Sequence, residues 1–268
     1  MWAYYSRSRL AARQLRQLFY PRRCPFCGRV VGSLPVCPDC AQQREALLRR
    51  PSFRLDPAKH YFGRIEQAAA PFRYEGSVRR SILRAKYQGA PWVAAELGVW
   101  MARLLTDCEI QMVGAEPVPQ ASGAYQIAYD CVVPVPPSGR SRGYNVPTQM
   151  ACPLSKAMGL PMEPDALKRI RSGTHQAGLP LEMRLINVAG AFRAQKREAI
   201  EGSRVLLVDD VITTGATAAA CAKALLDAGA QSVSAFALAA VEFSATPPAL
   251  RRITEDEWRG EWDDELQF

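Results

Sequence analysis

Residues 202–217 constrain this chain more than any other stretch: Gly-Ser-Arg-Val-Leu-Leu-Val-Asp-Asp-Val-Ile-Thr-Thr-Gly-Ala-Thr. The apolar run Val205-Leu206-Leu207-Val208, entered from Gly-Ser, has the composition of a strand buried on both faces, as in a parallel sheet. Asp209 and Asp210 close that strand. A loop of small hydroxyl residues and glycine follows, then an Ala-rich helix expected over about 218–228, with Gly229 at the terminator position. This order of strand, loop and helix aims backbone N–H groups and the positive end of the helix dipole at one spot, which suits a phosphate. The acids lie at the carboxyl end of the strand, where open α/β sheets place their ligands. Their oxygens suit sugar hydroxyls or a divalent cation rather than the phosphate itself. No Gly-Lys-Ser/Thr follows, so this is not a Walker loop, and phospho-receiver domains lack the Thr-Thr-Gly-x-Thr run. An ordinary strand-to-helix turn of another Rossmann-like domain is the competing reading.

Cysteine spacing supplies the second constraint. Cys24-Pro-Phe-Cys27-Gly and Cys37-Pro-Asp-Cys40 are two CxxC units nine residues apart, while Cys108, Cys131, Cys152 and Cys221 are scattered among apolar neighbours and read as small core residues. Each CxxC forms a knuckle whose backbone N–H groups face the sulfurs, and two knuckles supply four thiolates for a tetrahedral zinc. Cys24, Cys27, Cys37 and Cys40 are therefore expected to form a structural zinc ribbon. A redox CxxC competes, but it calls for no second matching pair.

Length and charge bound the rest. A chain of 268 residues accommodates one sizeable α/β domain and a small appendage. No apolar run is long enough to span a membrane and no apolar signal-peptide core opens the chain, so a cytoplasmic location is expected. Residues 1–64 hold 13 Lys and Arg against 3 acids, a net +10, against +8 for the whole chain. That segment is either a polyanion footprint or a set of solvated arginines on a small module. The expected domains are 1–64 (amphipathic helix, zinc ribbon and linker), 65–242 (the α/β domain) and 243–268 (an acidic, Trp-bearing tail).

Between these landmarks the pattern predicts a strand over 69–74 and helices over 77–86 and 92–105. A loop over 114–128, a strand over 129–136 and a helix over 147–158 come next, and a final strand over 233–241. Arg140 and Arg142 follow the 129–136 strand and are candidates for a second anion contact beside the first, with Lys86 as a further one. The polar stretch 166–193, with Arg171, His175 and Arg184, is a candidate lid over an anionic ligand. His60 stands alone and reads as an ordinary packed or surface histidine.

The 205–217 stretch resembles the phosphoribosyl diphosphate (PRPP) motif of type I phosphoribosyltransferases. The resemblance implies that Asp209 and Asp210 contact ribose hydroxyls and that Thr213, Thr214, Gly215, Ala216 and Thr217 hold the 5′-phosphate. The ordered set is similar to the ComF family of competence-associated proteins, which couple an N-terminal zinc ribbon to a phosphoribosyltransferase-like domain. Its members here are the two CxxC units, Tyr74-Glu-Gly-Ser-Val-Arg-Arg with Lys86-Tyr-Gln-Gly, and Val133-Pro-Val-Pro with Arg142-Gly-Tyr-Asn145. Arg171, Thr174-His-Gln176, Glu182-Met-Arg184, Asn187-Val-Ala-Gly-Ala-Phe192 and the PRPP motif complete it. The family commonly continues after Asn145 with Gln and a small residue where this chain has Val146-Pro147, and many relatives carry a further CxxC pair that is absent here.

The resemblance implies a type I phosphoribosyltransferase-like parallel sheet flanked by helices, PRPP bound with Mg²⁺, and a role in DNA uptake. Arg140, Arg142 and Lys86 become the diphosphate candidates. Beside a zinc-ribbon interaction protein whose α/β domain has lost ligand binding, which the intact acids and hydroxyl loop disfavour, two functions stay open. One is phosphoribosyl transfer to an unidentified acceptor. The other is non-catalytic PRPP binding, with the basic N-terminal segment meeting single-stranded DNA or a competence-machinery protein. No residue declares itself as a general base.

Overall fold

The computed structural model describes residues 21, 23–31, 36–49, 52–106, 110–113, 116–119, 128–137, 143–171 and 188–242, with the backbone alone for 110–113 and 116–119. The expected N-terminal helix and acidic tail lie outside the described residues. No helix among the described residues is long and apolar enough to cross a membrane.

A parallel sheet forms the centre. Its strands are β1 (Gln67–Ala69), β2 (Phe72–Arg73), β5 (Cys131–Pro134), β8 (Arg204–Ile212) and β9 (Ser232–Ala240). The spatial order is β1-β9-β8-β5, with β2 also pairing with β9, and every pairing is parallel. The strand expected over 69–74 is thus two short strands. Ala70 and Pro71 step out of the ladder between them, Ala70 N–H donating to Phe53 O (2.9 Å) and Pro71 O accepting from Arg49 N–H (2.8 Å). The strand carrying the two acids also runs past them, because β9 pairs with β8 as far as Ile212.

Side chains alternate across β8 and separate two cores. Val205 and Leu207 face one layer with α6 (Ala216–Asp227), which presents Ala218, Cys221, Ala222 and Leu225. Leu206 and Val208 face the other layer, with α2 (Gly76–Tyr87), α3 (Pro91–Thr106) and α4 (Val146–Met158). Burial on both faces explains why Val205-Leu206-Leu207-Val208 has no polar alternation. Pro147 falls in the first turn of α4, where its missing N–H costs nothing. The Val146-Pro147 departure is therefore absorbed as a helix start.

Two antiparallel strand pairs and two helices are the other described elements. β3 (Ile110–Val113) pairs antiparallel with β4 (Glu116–Pro119), inside the span expected to be loop. β6 (Leu167–Arg169) pairs with β7 (Phe192–Ala194), so the ends of the candidate lid are a β-ladder. α5 (Arg197–Ile200) is a single turn before β8, and α1 (Pro38–Leu47) starts within the second CxxC unit.

Candidate functional site

Asp209 and Asp210 lie near the carboxyl end of β8. Asp209 Oδ1 accepts from the Asp210 N–H (2.8 Å), and Asp210 Oδ1 accepts from the Val211 N–H (2.9 Å). Each carboxylate thus has one oxygen fixed by backbone. Asp210 is only 4% exposed, while Asp209 keeps part of its surface open. Burial pushes the Asp209 carboxyl well above the usual carboxylate range; the Asp210 charge adds to the push and the Lys86 ammonium opposes it.

Lys86, in the last turn of α2, forms an ion pair with Asp210 Oδ2 at 2.5 Å. Burial works against its charge, but Asp210 and then Asp209 outweigh it, so its pKa moves up. The residue before it, Ala85, gives its carbonyl to the Tyr144 hydroxyl. Asn145 Nδ2 donates to Val135 O (2.8 Å) at the end of β5 and to Thr148 Oγ1 (3.0 Å). These bonds hold the start of α4 beside the β5 end. The acids, the α2 terminus and the β5–α4 connection therefore meet on the carboxyl side of the sheet, where ligands of such sheets bind.

The loop after β8 enters α6 through Gly215, which has φ +90° and gives the helix no side-chain cap. A Cβ there would overlap the Tyr61 carbonyl oxygen, so only glycine fits. Tyr61 N–H in turn donates to Thr214 O (2.7 Å), which clamps the loop from behind. Thr214 is buried, with its hydroxyl 3.5 Å from the Ala216 N–H, and Thr213 and Thr217 are half-buried. The first amides of α6 have no intrahelical acceptor. A glycine turn into a helix start whose N-cap residue supplies no side chain, with neighbouring hydroxyls, can hold an anion, and carboxylates beside it can accept from hydroxyls or ligate a cation.

Cys24, Cys27, Cys37 and Cys40 are brought together, with all four sulfurs within 4.8 Å of one another. Cys27 and Cys37 Sγ are 3.6 Å apart. Tetrahedral zinc thiolates at about 2.3 Å from the metal place their sulfurs about 3.8 Å apart, so the cluster fits such an ion. The first pair forms the expected knuckle. Gly28 N–H donates to Cys24 O (2.8 Å), Cys24 N–H to Arg29 O (2.7 Å), and Arg23 bridges Val30 antiparallel. The second pair opens a helix instead, with Cys37 at the N-cap of α1 and Pro38 in the first turn. Burial acts to raise the Cys37 thiol, yet the Cys40 amide and the surrounding sulfurs outweigh it and its pKa falls.

Of the other residues singled out by sequence, Arg140, Arg142, His175 and Arg184 lie outside the described residues. Arg171 is exposed just beyond β6, its carbonyl accepting from Arg169 Nε (2.9 Å). His60 is buried and stacks on Phe62 (ring centroids 5.5 Å), with Nδ1 3.2 Å from Asp56 O and Nε2 3.1 Å from Val241 O. Sequence reasoning missed the backing of the loop by Tyr61. A carbonyl placed by a segment some 150 residues away in sequence leaves no local signal. It also missed the Lys86–Asp210 pair, for which the only signal was the Lys86-Tyr-Gln-Gly element.

Residues 112–259, more than half of the chain, match the phosphoribosyl transferase domain family. The chain is similar to the "DNA utilization protein YhgH" of Salmonella typhi, 33% identical over 112 residues, 41% of this chain and 48% of that protein. The protein of the same name in Escherichia coli K12 is 34% identical over 36% of this chain and 42% of that protein. The matched region thus spans about half the length of these curated relatives. "Competence protein F" of Haemophilus influenzae is 27% identical over 230 residues, 81% of this chain and 89% of that protein.

Proposed function

The chain belongs to the phosphoribosyl transferase domain family, and on that premise we propose that it binds PRPP with Mg²⁺ in the service of DNA handling or uptake. Asp209 and Asp210 take the ribose hydroxyls, and Thr213, Thr214, Gly215, Ala216 and Thr217 take the 5′-phosphate. The observation that carries this reading is the Gly215 cradle, backed by the Tyr61 carbonyl and flanked by two carboxylates whose orientations the backbone fixes. The DNA role draws on the names of the YhgH and competence F relatives. Zn²⁺ at Cys24, Cys27, Cys37 and Cys40 is structural, since protein supplies all four ligands.

In phosphoribosyl transfer, Mg²⁺ supplies charge neutralisation for the diphosphate leaving group. The chain's own part is positioning. The acids hold the pentose by its hydroxyls and the 213–217 loop fixes the phosphate end, so the anomeric carbon is presented for displacement. Arg140 and Arg142 are assigned to the diphosphate, and Arg171, His175 and Arg184 to its cover. Calorimetric titration of PRPP and Mg²⁺ into the wild type and the Asp209→Asn/Asp210→Asn pair tests the site. Equal affinities for the two proteins would refute it. Diphosphate release screened across purine, pyrimidine and orotate acceptors then separates transfer from binding alone.

A second reading, single-stranded DNA contact, is favoured by Trp92 (40% exposed) and Tyr87 (63% exposed), with the Arg84 guanidinium 5.5 Å from the Trp92 ring centroid. Exposed aromatics among arginines suit base stacking over a phosphate backbone. Affinity for single-stranded DNA that falls with salt and with Trp92→Ala supports it, and salt-independent binding sinks it.

A further inference from the structure

Three consecutive residues in the last turn of α2 touch three parts of the molecule. Arg84 Nη2 donates to the carbonyls of Cys24 (3.4 Å) and Pro25 inside the first cysteine knuckle. Ala85 O accepts from the Tyr144 hydroxyl. Lys86 Nζ meets Asp210 Oδ2 at 2.5 Å. Residues two apart on an α-helix point about 200° apart. Arg84 and Lys86 therefore leave from opposite flanks, and the turn is held between the cysteine module and the acid pair.

The charges make this arrangement sensitive to the metal. Four thiolates around a divalent ion carry a net charge of about −2. The half-buried Arg84 guanidinium, bonded to the Cys24 and Pro25 carbonyls, is one compensating cation beside them, and Arg29 is another. With the metal gone, nothing holds the four sulfurs and the knuckle carbonyls in place for Arg84, and its anchorage is lost. The module is also accessible. Cys27 is exposed and lines, with Arg29, Arg80 and Arg84, a groove of about 620 Å³ between the module and α2.

We propose that metal occupancy of the four-cysteine module sets the ligand affinity of the acid-pair site through the last turn of α2, with Arg84 and Lys86 as the positioning residues at its two ends. The proposal rests on reading Asp209 and Asp210 as the pentose site. With metal bound, Arg84 anchors the turn, and Lys86 holds the Asp210 carboxylate in place beside Asp209. Once the metal leaves, Arg84 is released, Lys86 withdraws, and the Asp210 carboxylate loses the cation that holds it in place beside Asp209.

The test uses the full chain, zinc-loaded and zinc-stripped, titrated with PRPP and Mg²⁺. Stripping is expected to weaken binding about tenfold, and by linkage saturating PRPP tightens zinc binding against a competing chelator by the same factor. Arg84→Met, still loaded with one zinc, is expected to bind PRPP as weakly as the stripped wild type, and Arg84→Lys to recover part of the loss. Because Arg84→Met retains the metal, it decides the matter even where stripping unfolds the chain. Amide exchange at residues 84–89 is the ligand-free readout, expected to speed about tenfold in wild type on zinc removal and to be already fast in zinc-loaded Arg84→Met. Equal PRPP affinity with and without zinc, or Arg84→Met binding like loaded wild type, overturns the proposal. Exchange unmoved by zinc overturns the coupling whatever the ligand does. No PRPP binding by loaded wild type, with exchange still responding, overturns the pentose assignment instead.

Discussion

Gly215 and Gly202 have similar backbones and opposite surroundings, which separates conformational strain from steric exclusion. Gly215 has φ +90° and a Cβ there overlaps the Tyr61 carbonyl; Gly202 has φ +70° and open space around it. Gly202→Ala should cost only the left-handed strain, about 1–2 kcal/mol. Gly215→Ala should cost that plus overpacking, about 3 kcal/mol in all, and should weaken PRPP binding as well. Urea melts of the two variants check the difference, and equal losses would mean that Tyr61 does not back the loop. Asp209 offers a prediction with a pH signature. Its pKa is raised in the folded protein, so the native state holds more protons than the unfolded chain above about pH 4, and this group's contribution to stability falls as pH rises through that window. Asp209→Asn keeps the Oδ1 acceptor for the Asp210 amide and removes the titration. It should melt higher than wild type at pH 7 and lose that advantage toward pH 4, as read by calorimetry across that range. The acids and the Thr-Thr-Gly loop were legible because chemistry there is local in sequence. Lys86 opposite Asp210 and Tyr61 behind Gly215 were not, since each joins segments that only the folded sheet brings together.

Helices α3 and α4 cross where Gly98 meets the Met150 backbone, and a Cβ on Gly98 would stand 2.7 Å from both Met150 Cα and Pro153 Cγ. Pro153 lies inside α4, so neither the helix nor the ring yields easily. Gly98→Ala should therefore cost about 1–3 kcal/mol even though Ala is the better helix former, because overpacking outweighs propensity here. A chemical denaturation midpoint that rises instead would show that the two helices can part. Elements with strong periodicity, such as α2, α3 and α4, could be read from sequence to within a residue or two. Others could not, for identifiable reasons. Pro117 and Pro119 mark a loop by composition, yet they are two apart on β4, so their missing N–H groups point to the same side, away from the partner β3. Pro71 divides the strand expected over 69–74, and β9 accommodates both halves. Cys37-Pro-Asp-Cys40 has the knuckle spacing, and Pro38 in the first turn makes it a helix start as well.

The cysteine module does not stand apart from the α/β body. Cys24, Phe26, Cys37 and Cys40 belong to the same buried cluster as Val78 and Ile82 of α2, Leu97 of α3 and Phe236 of β9. A module that shares its core with the sheet cannot unfold without exposing apolar surface on the helices over that sheet face, so metal loss is felt by the whole cooperative unit. A ligand that binds only the native state at about a hundred times its dissociation constant contributes about 2.7 kcal/mol. For a chain of this size each kcal/mol moves the melting temperature by about 2–4 °C. Treatment with a strong chelator should therefore lower a single calorimetric transition by about 5–10 °C, and returning zinc should restore it. Two transitions, the upper one unmoved by the chelator, would mean that the module folds on its own and that the buried contacts of Phe26 and Cys24 with the α2 side contribute little. The Cys24→Ser variant sharpens the comparison, since Cys24 is fully buried in this cluster and supplies one of the four sulfurs. In a shared core it should melt lower than wild type and lose most of its response to chelator, because the metal term is already gone from the unit that the calorimeter reads.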